Sequence, residues 1–261
     1  MAYSHSMVRQ RWDTVGGLSI HSRHAGTSGP DVVCVHGLGV SSAHMAPMLR
    51  VLSPAFRAHA LDLPGFGWSD DPATLPDVDE LAEFLEVFIE ETVEGPSAIL
   101  ANSLGCQVAI ACAQRRPDLV AGMVLVGPTV DPAGRSAAGQ IGRYLLTLPG
   151  ERLSQAPLVV RDYCRAGPRR IAGTFRYGLA DVVKDRLPGV GAPTLVVRGS
   201  RDRIAPQAWV EEMARLLPHG RTAVIPGAAH TPHFTAPDTL GRIARPFLEG
   251  DLEEATRSGR P

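Results

Sequence analysis

The sequence predicts an α/β fold: a mainly parallel eight-stranded sheet with helices on both faces and a small helical cap. Three observations predict it. Short β-branched apolar runs recur, each stopped by turn residues. Segments with helical spacing alternate with them. One interval, residues 128–190, breaks that rhythm and carries helical patterning of its own.

The elements follow in chain order. Residues 8–25 alternate in character around Gly16-Gly17 and read as an antiparallel hairpin on the sheet edge. Six apolar runs follow: 32–35, 56–61, 97–101, 123–126, 194–197 and 222–225. Runs this short, bounded by turn residues, are how strands buried on both faces read. Helical spacing marks 79–94, where Leu81, Phe84, Leu85 and Phe88 share one side, then 105–116, 206–217 and 239–248. Strand–helix alternation implies parallel strands with crossover helices. The interval 128–190 is too long for a structureless loop in a compact domain. Its amphipathic pieces predict a cap over 129–190, between strands six and seven, with the core formed by 1–128 and 191–261. The polar tail 249–261 is expected to fray.

Composition bounds the function. The chain has 261 residues, 44% of them hydrophobic and 20% charged, which fits an ordinary globular protein. A net charge of −1 gives no global pull toward nucleic acid or anionic lipid. The N-terminal MAYSHSMVRQRWD lacks a signal-peptide core, and no apolar stretch is long enough to span a bilayer. Cys34, Cys106, Cys112 and Cys164 form no CxxC pair and read as reduced, buried thiols of a cytoplasmic protein. No zinc-ligand spacing is present, and no metal or cofactor is expected. The expected partner is a small-molecule substrate, not nucleic acid or membrane, and the expected assembly is a monomer or homodimer.

The chemistry enters at ILANSLGCQ, where an apolar run stops at Asn102-Ser103 and small residues precede a second apolar run. A serine on a tight turn between a parallel strand and a helix sits at the carboxyl edge of the sheet, where open α/β proteins bind ligands. Such a turn needs small residues two before and two after, here Ala101 and Gly105, giving AxSxG where GxSxG is usual. The competing reading is a buried serine capping the next helix. A serine hydroxyl attacks only with a base, and the base needs an orienting acid. Asp202 follows the run TLVVRGS, and His230 ends TAVIPGAAH. The order Ser103, Asp202, His230 is that of this kind of fold, and all three are expected on one sheet edge. Asp202 could instead cap the helix after it. After the first central strand, the glycines of His36-Gly37-Leu38-Gly39 allow a tight turn. Its Leu38 amide, with the Leu104 amide, could hold the oxyanion of a tetrahedral intermediate.

With these residues in view, the chain resembles the α/β-hydrolase superfamily. The matching motifs are HGLG at 36–39, DLPGFGWSD at 62–70, ANSLG at 101–105, GSRDRIAP at 199–206 and GAAHTPHF at 227–234. The resemblance spans about residues 8–250 and implies a cap at 128–190. It is specific for fold and unspecific for substrate. It also makes Asp131 a competitor for the acid, since some members carry it after that strand. His233 is expected to line the pocket or contact solvent rather than act as the base, His36 to brace the oxyanion loop, Asp62 to be scaffold and Trp68 to pack beside the cap. Tyr144, Tyr163, Phe175 and Tyr177 could touch substrate, although for most of them a place in the helical core is the expectation.

The function expected is a cofactor-free serine hydrolase of a small, largely apolar ester or lactone, acting through an acyl-enzyme. One alternative is carbon–carbon bond hydrolysis of a dienoic keto acid. Enzymes of that kind typically carry Trp after the catalytic His and a cap Arg for the substrate carboxylate; here Thr231 follows His230, and Arg176 is the candidate arginine. Another alternative is a non-catalytic receptor on the same fold.

Overall fold

The computed structural model describes residues 7–258, and of residues 251–258 the backbone only. The expectation of no leader at the N-terminus falls partly on residues 1–6, outside the described residues. The described chain forms one eight-stranded sheet in the order β1-β2-β4-β3-β5-β6-β7-β8. The strands are β1 (Arg9–Val15), β2 (Leu18–Ala25), β3 (Asp31–Val35), β4 (Arg57–Leu61), β5 (Ser97–Asn102), β6 (Val120–Val126), β7 (Thr194–Gly199) and β8 (Gly220–Ile225). β1 and β2 pair as the antiparallel hairpin, and β2 pairs antiparallel with β4. All other pairings are parallel.

Each central strand splits its side chains between two cores. Val33 and Val35, Ile99 and Ala101, and Met123 and Leu125 face one side. Val32 and Cys34, Ala98 and Leu100, and Val124 and Val126 face the other. This is the two-residue pleat, and with both faces covered it reads in sequence as unbroken apolar runs. The first face is covered by α2 (Val78–Thr92), α3 (Leu104–Arg115) and α7 (Gln207–Leu216). The second is covered by α1 (Ser42–Leu52) and α9 (Pro237–Ser258). α2 begins with a reciprocal capping box in which Asp77 and Glu80 satisfy each other's backbone amides.

The structure departs from the sequence reading at three places. α1 has no counterpart in it. Pro47 interrupts the helical signal, yet the helix holds because Met45, Met48, Leu49 and Leu52 are fully buried. α9 continues past Leu248 to Ser258, so the tail expected to fray is helical that far, and residues 259–261 lie outside the described residues. β8 is not buried on both faces: it is the sheet edge, and Val224 is 39% exposed.

Between β6 and β7 the chain leaves the sheet. It forms α4 (Ala137–Thr147), α5 (Ala156–Ala180) and α6 (Val183–Arg186). α5 is broken at Gly167, whose φ of 74° and ψ of 156° are not helical, with Pro168 next. The stretch Pro157–Val160, ambiguous in sequence, is the first part of α5.

Candidate active site

Ser103 sits between β5 and α3 with φ 55° and ψ −121°. Among the described residues it alone of the non-glycines has a positive φ. Its side chain makes no capping bond to α3, which removes the helix-cap reading. The turn is as tight as the sequence requires. A Cβ at Gly105 would lie 2.6 Å from the His36 carbonyl oxygen and 2.7 Å from that of Val35. Both obstacles are backbone and cannot rotate away. Gly105→Ala is therefore expected to destabilise the fold by about 1–3 kcal/mol, as overpacking does, read as a lower melting temperature.

Asp202 and His230 meet directly. Asp202 Oδ2 lies 2.9 Å from His230 Nδ1. Asp202 Oδ1 accepts from the backbone amides of Ile204 at 2.8 Å and Ala205 at 3.1 Å. Asp202 is 1% exposed. Arg198 shapes the same turn by donating to the carbonyls of Asp202 and Ala205. α7 is capped at Pro206, so Asp202 organises its own turn and is not the helix N-cap. Asn102, beside Ser103, donates from Nδ2 to the carbonyls of Val126 and His230, tying the end of β5 to the histidine loop. Among the described residues the Ser103 hydroxyl makes no hydrogen bond to His230, a bond that in catalytic sites commonly tightens only in the substrate complex. Burial desolvates the His230 imidazole and opposes its charging. Asp202, by charge and hydrogen bond, and Glu151, by charge, outweigh this, and the pKa is raised from 6.5.

A residue the sequence did not single out lies under this pair. Gly127, with φ 59°, would place a Cβ 2.8 Å from His230 Nδ1 and 3.0 Å from Asp202 Oδ2. Only the absence of a side chain lets the pair close.

The HGLG turn faces the serine. A Cβ at Gly37 would be 3.0 Å from Ser103 Cβ. His36 Nε2 accepts from the Leu63 amide at 3.0 Å, so its proton is on Nδ1, which donates to the Gly37 carbonyl at 2.8 Å. Burial lowers its pKa and keeps it neutral. The Leu38 and Leu104 amides have no hydrogen-bond partner among the described residues. Leu104 opens α3, where the helix dipole also favours negative charge.

The helical segment between β6 and β7 packs against these loops. Tyr163 and Ile171 of α5 crowd Gly39. Gly178 approaches Leu104, and Gln107 donates to the Gly178 carbonyl. Ser41 donates to the buried Asp162 at 2.6 Å. Trp68 lies beneath the Arg165 guanidinium at 3.6 Å, beside this segment as expected. Arg176 is exposed and stacks on the Tyr177 ring.

A network missed by sequence reasoning reaches the histidine from the same segment. Glu151 Oε1 accepts from the His230 amide at 2.7 Å and the Thr231 amide at 3.0 Å. Its Oε2 accepts from the Thr231 hydroxyl and, at 2.8 Å, from Gln155 Nε2. Gln155 Oε1 accepts from His44 Nε2 at 2.9 Å, which leaves His44 Nδ1 to accept from His233 Nε2 at 3.0 Å. Burial lowers the pKa of both histidines, so both are neutral. Nothing local in LPGERLSQ announces this, because the backbone amides that Glu151 holds lie 79 and 80 residues away.

Asp131 is engaged elsewhere. Its Oδ2 pairs with Arg143 at 2.6 Å, and its Oδ1 accepts from the Ala133 amide. Cys34, Cys106 and Cys112 are buried and free, and Cys164 is exposed. Burial raises the pKa of the three buried thiols, which disfavours thiolate even for Cys106 beside the turn. Among the described residues no cluster of three or more His, Cys, Asp or Glu could hold a metal ion, and no helix is long and apolar enough to cross a membrane.

Comparison with known proteins agrees with the fold. A model of the alpha/beta hydrolase family matches residues 32–242. A pimeloyl-[acyl-carrier protein] methyl ester esterase of Nitrosomonas europaea is 28% identical, over 84% of this chain and 96% of the relative. A 2-(acetamidomethylene)succinate hydrolase of Mesorhizobium japonicum is 24% identical, over 94% of this chain and 97% of the relative. Among solved structures, a bacterial membrane phospholipase A superposes with a TM-score of 0.81 at 24% identity, covering 94% of this chain and 86% of its own. An esterase of Thermogutta terrifontis superposes with a TM-score of 0.76 at 24% identity, covering 94% and 99%. At that identity the structural likeness speaks for the fold alone.

Proposed function

The chain belongs to the alpha/beta hydrolase family, and from that premise we propose that it is a serine hydrolase of small, largely apolar carboxylic esters or lactones. The observation that carries the reading is the buried Asp202–His230 pair beside a serine held at φ 55°. Ser103 attacks the carbonyl carbon. His230 takes its proton and returns it to the leaving alcohol. Asp202 holds the imidazole in the tautomer whose Nε2 is free and stabilises its charged form. The Leu38 and Leu104 amides receive the oxyanion. Water activated by His230 then releases the acid. Every catalytic group is supplied by the chain, so the reaction calls for no cofactor. Residues 129–190 act as the cap that bounds the acyl pocket, a role supported by their contacts at Gly39 and Leu104 and by the bond from the His230 amide to Glu151.

An ester reading is also supported by the esterase relative. Thr231, tied to Glu151, stands where the carbon–carbon alternative favours Trp, and Arg176 is exposed with its guanidinium over the Tyr177 ring. The test is a panel of p-nitrophenyl esters of increasing acyl length, lactones and a ring-fission dienoate, with fluorophosphonate labelling alongside. Turnover is expected on short to medium esters or lactones, with one covalent adduct at Ser103. A preference for the dienoate would move the reading to carbon–carbon cleavage. No adduct on folded protein would make the chain a binding protein.

A further inference from the structure

We propose that Glu151 is a positioning residue for the base, through which the helical segment between β6 and β7 holds His230 in its working geometry. The inference rests on the serine-hydrolase reading above and deepens it. Four donors converge on the Glu151 carboxylate, two of them the backbone amides of His230 and Thr231. Those amides fix the chain at the point where the imidazole leaves it. The carboxylate belongs to the helical segment, not to the sheet, so the base is buttressed from outside the strands that carry it. The buried row Gln155, His44 and His233 stands behind it, each member donating toward the carboxylate.

The position also has an electrostatic effect. Asp202 faces His230 from the β7–α7 loop, Glu151 from the helical segment, and neutral His233 from α8 (Pro232–Thr235), with neutral His44 of α1 behind. Arg201 and Arg203 flank Asp202 in sequence. Glu151 therefore adds a second negative charge that favours the imidazolium. A group whose folded pKa is raised stays protonated to higher pH, so removing this charge moves the acid limb of activity to lower pH.

The test is the pH profile of the fluorophosphonate labelling rate at Ser103, with a thermal melt for every protein. Glu151→Gln keeps the shape and loses the charge. It is expected to move the acid limb to lower pH while keeping the plateau rate within about tenfold. Glu151→Ala also loses the buttress, and its plateau is expected to fall about ten- to a hundredfold. Thr231→Val keeps the charge, and its limb is expected to overlie that of the wild type. A Glu151→Gln limb superposed on the wild type, or an undiminished Glu151→Ala plateau, overturns the proposal. Glu151→Gln, nearly isosteric, carries the test where Glu151→Ala does not fold. Wild-type protein that does not label at Ser103 overturns the serine-hydrolase reading itself, a result distinct from either.

Discussion

Ser103→Ala is expected to lower turnover by about 10⁶-fold, on the scale seen when a triad nucleophile is removed, while the protein stays folded. The geometry gives the reason. No second nucleophile stands at the turn, since Cys106 is fully buried with its Sγ directed at the Ala101 and Val126 carbonyls. What survives, the free amides and the pocket, can still favour attack by water, which sets a floor above the uncatalysed rate. Stability is expected to change little, because the serine side chain caps nothing and alanine inherits the same backbone strain. Ser103→Gly separates the two effects. It is equally inactive, but it relieves a conformation that costs of order 1–3 kcal/mol in a non-glycine residue. Its melting temperature is expected to exceed that of Ser103→Ala. Esterase assays and melts on the two variants check both statements.

Asp202→Asn is expected to cost about 10⁴-fold in turnover, the precedent for triad aspartates. Here the mechanism can be followed atom by atom. Two backbone amides, from Ile204 and Ala205, point at one oxygen of the side chain. An asparagine satisfies them only by turning its carbonyl toward them. Its NH2 then faces His230 Nδ1, which must become an acceptor. The proton moves to Nε2, and the base presents a donor where it needs a lone pair. Asp131→Asn is expected to change turnover by less than about tenfold, because that carboxylate serves Arg143 and its own turn. Steady-state kinetics on both variants give the ranking. The reverse order would transfer the acid role to Asp131.

Much of this was legible in the sequence because it is local. The strand runs are bounded by their own turn residues. Ala101, Ser103 and Gly105 spell out the sharp turn in five positions, and the turn after β7 carries its aspartate and the amides that hold it within four. The hidden parts are the contacts between distant segments. Gly127 looks like an ordinary turn glycine until the side chains above it are in place. Glu151 sits in a stretch without periodicity, and the amides that give it significance lie far along the chain. α1 escaped for a different reason: Pro47 speaks against a helix locally, and burial of four large apolar side chains overrules it.

The sheet order has a consequence for how this protein acquires its activity. The serine leaves β5, the aspartate β7 and the histidine β8, and β7 joins β6 only after the helical segment has been traversed. Parallel pairings of such large sequence separation form late and slowly. Before β8 is docked the chain can have a hydrophobic core, helices and even the strained serine turn, yet no base. On the serine-hydrolase reading, recovery of hydrolytic activity on refolding therefore reports registration of the last strand, and is expected to lag behind the return of helical circular dichroism. A nascent chain lacking its final forty residues would be silent, which makes hydrolysis a built-in clock for completion of the sheet.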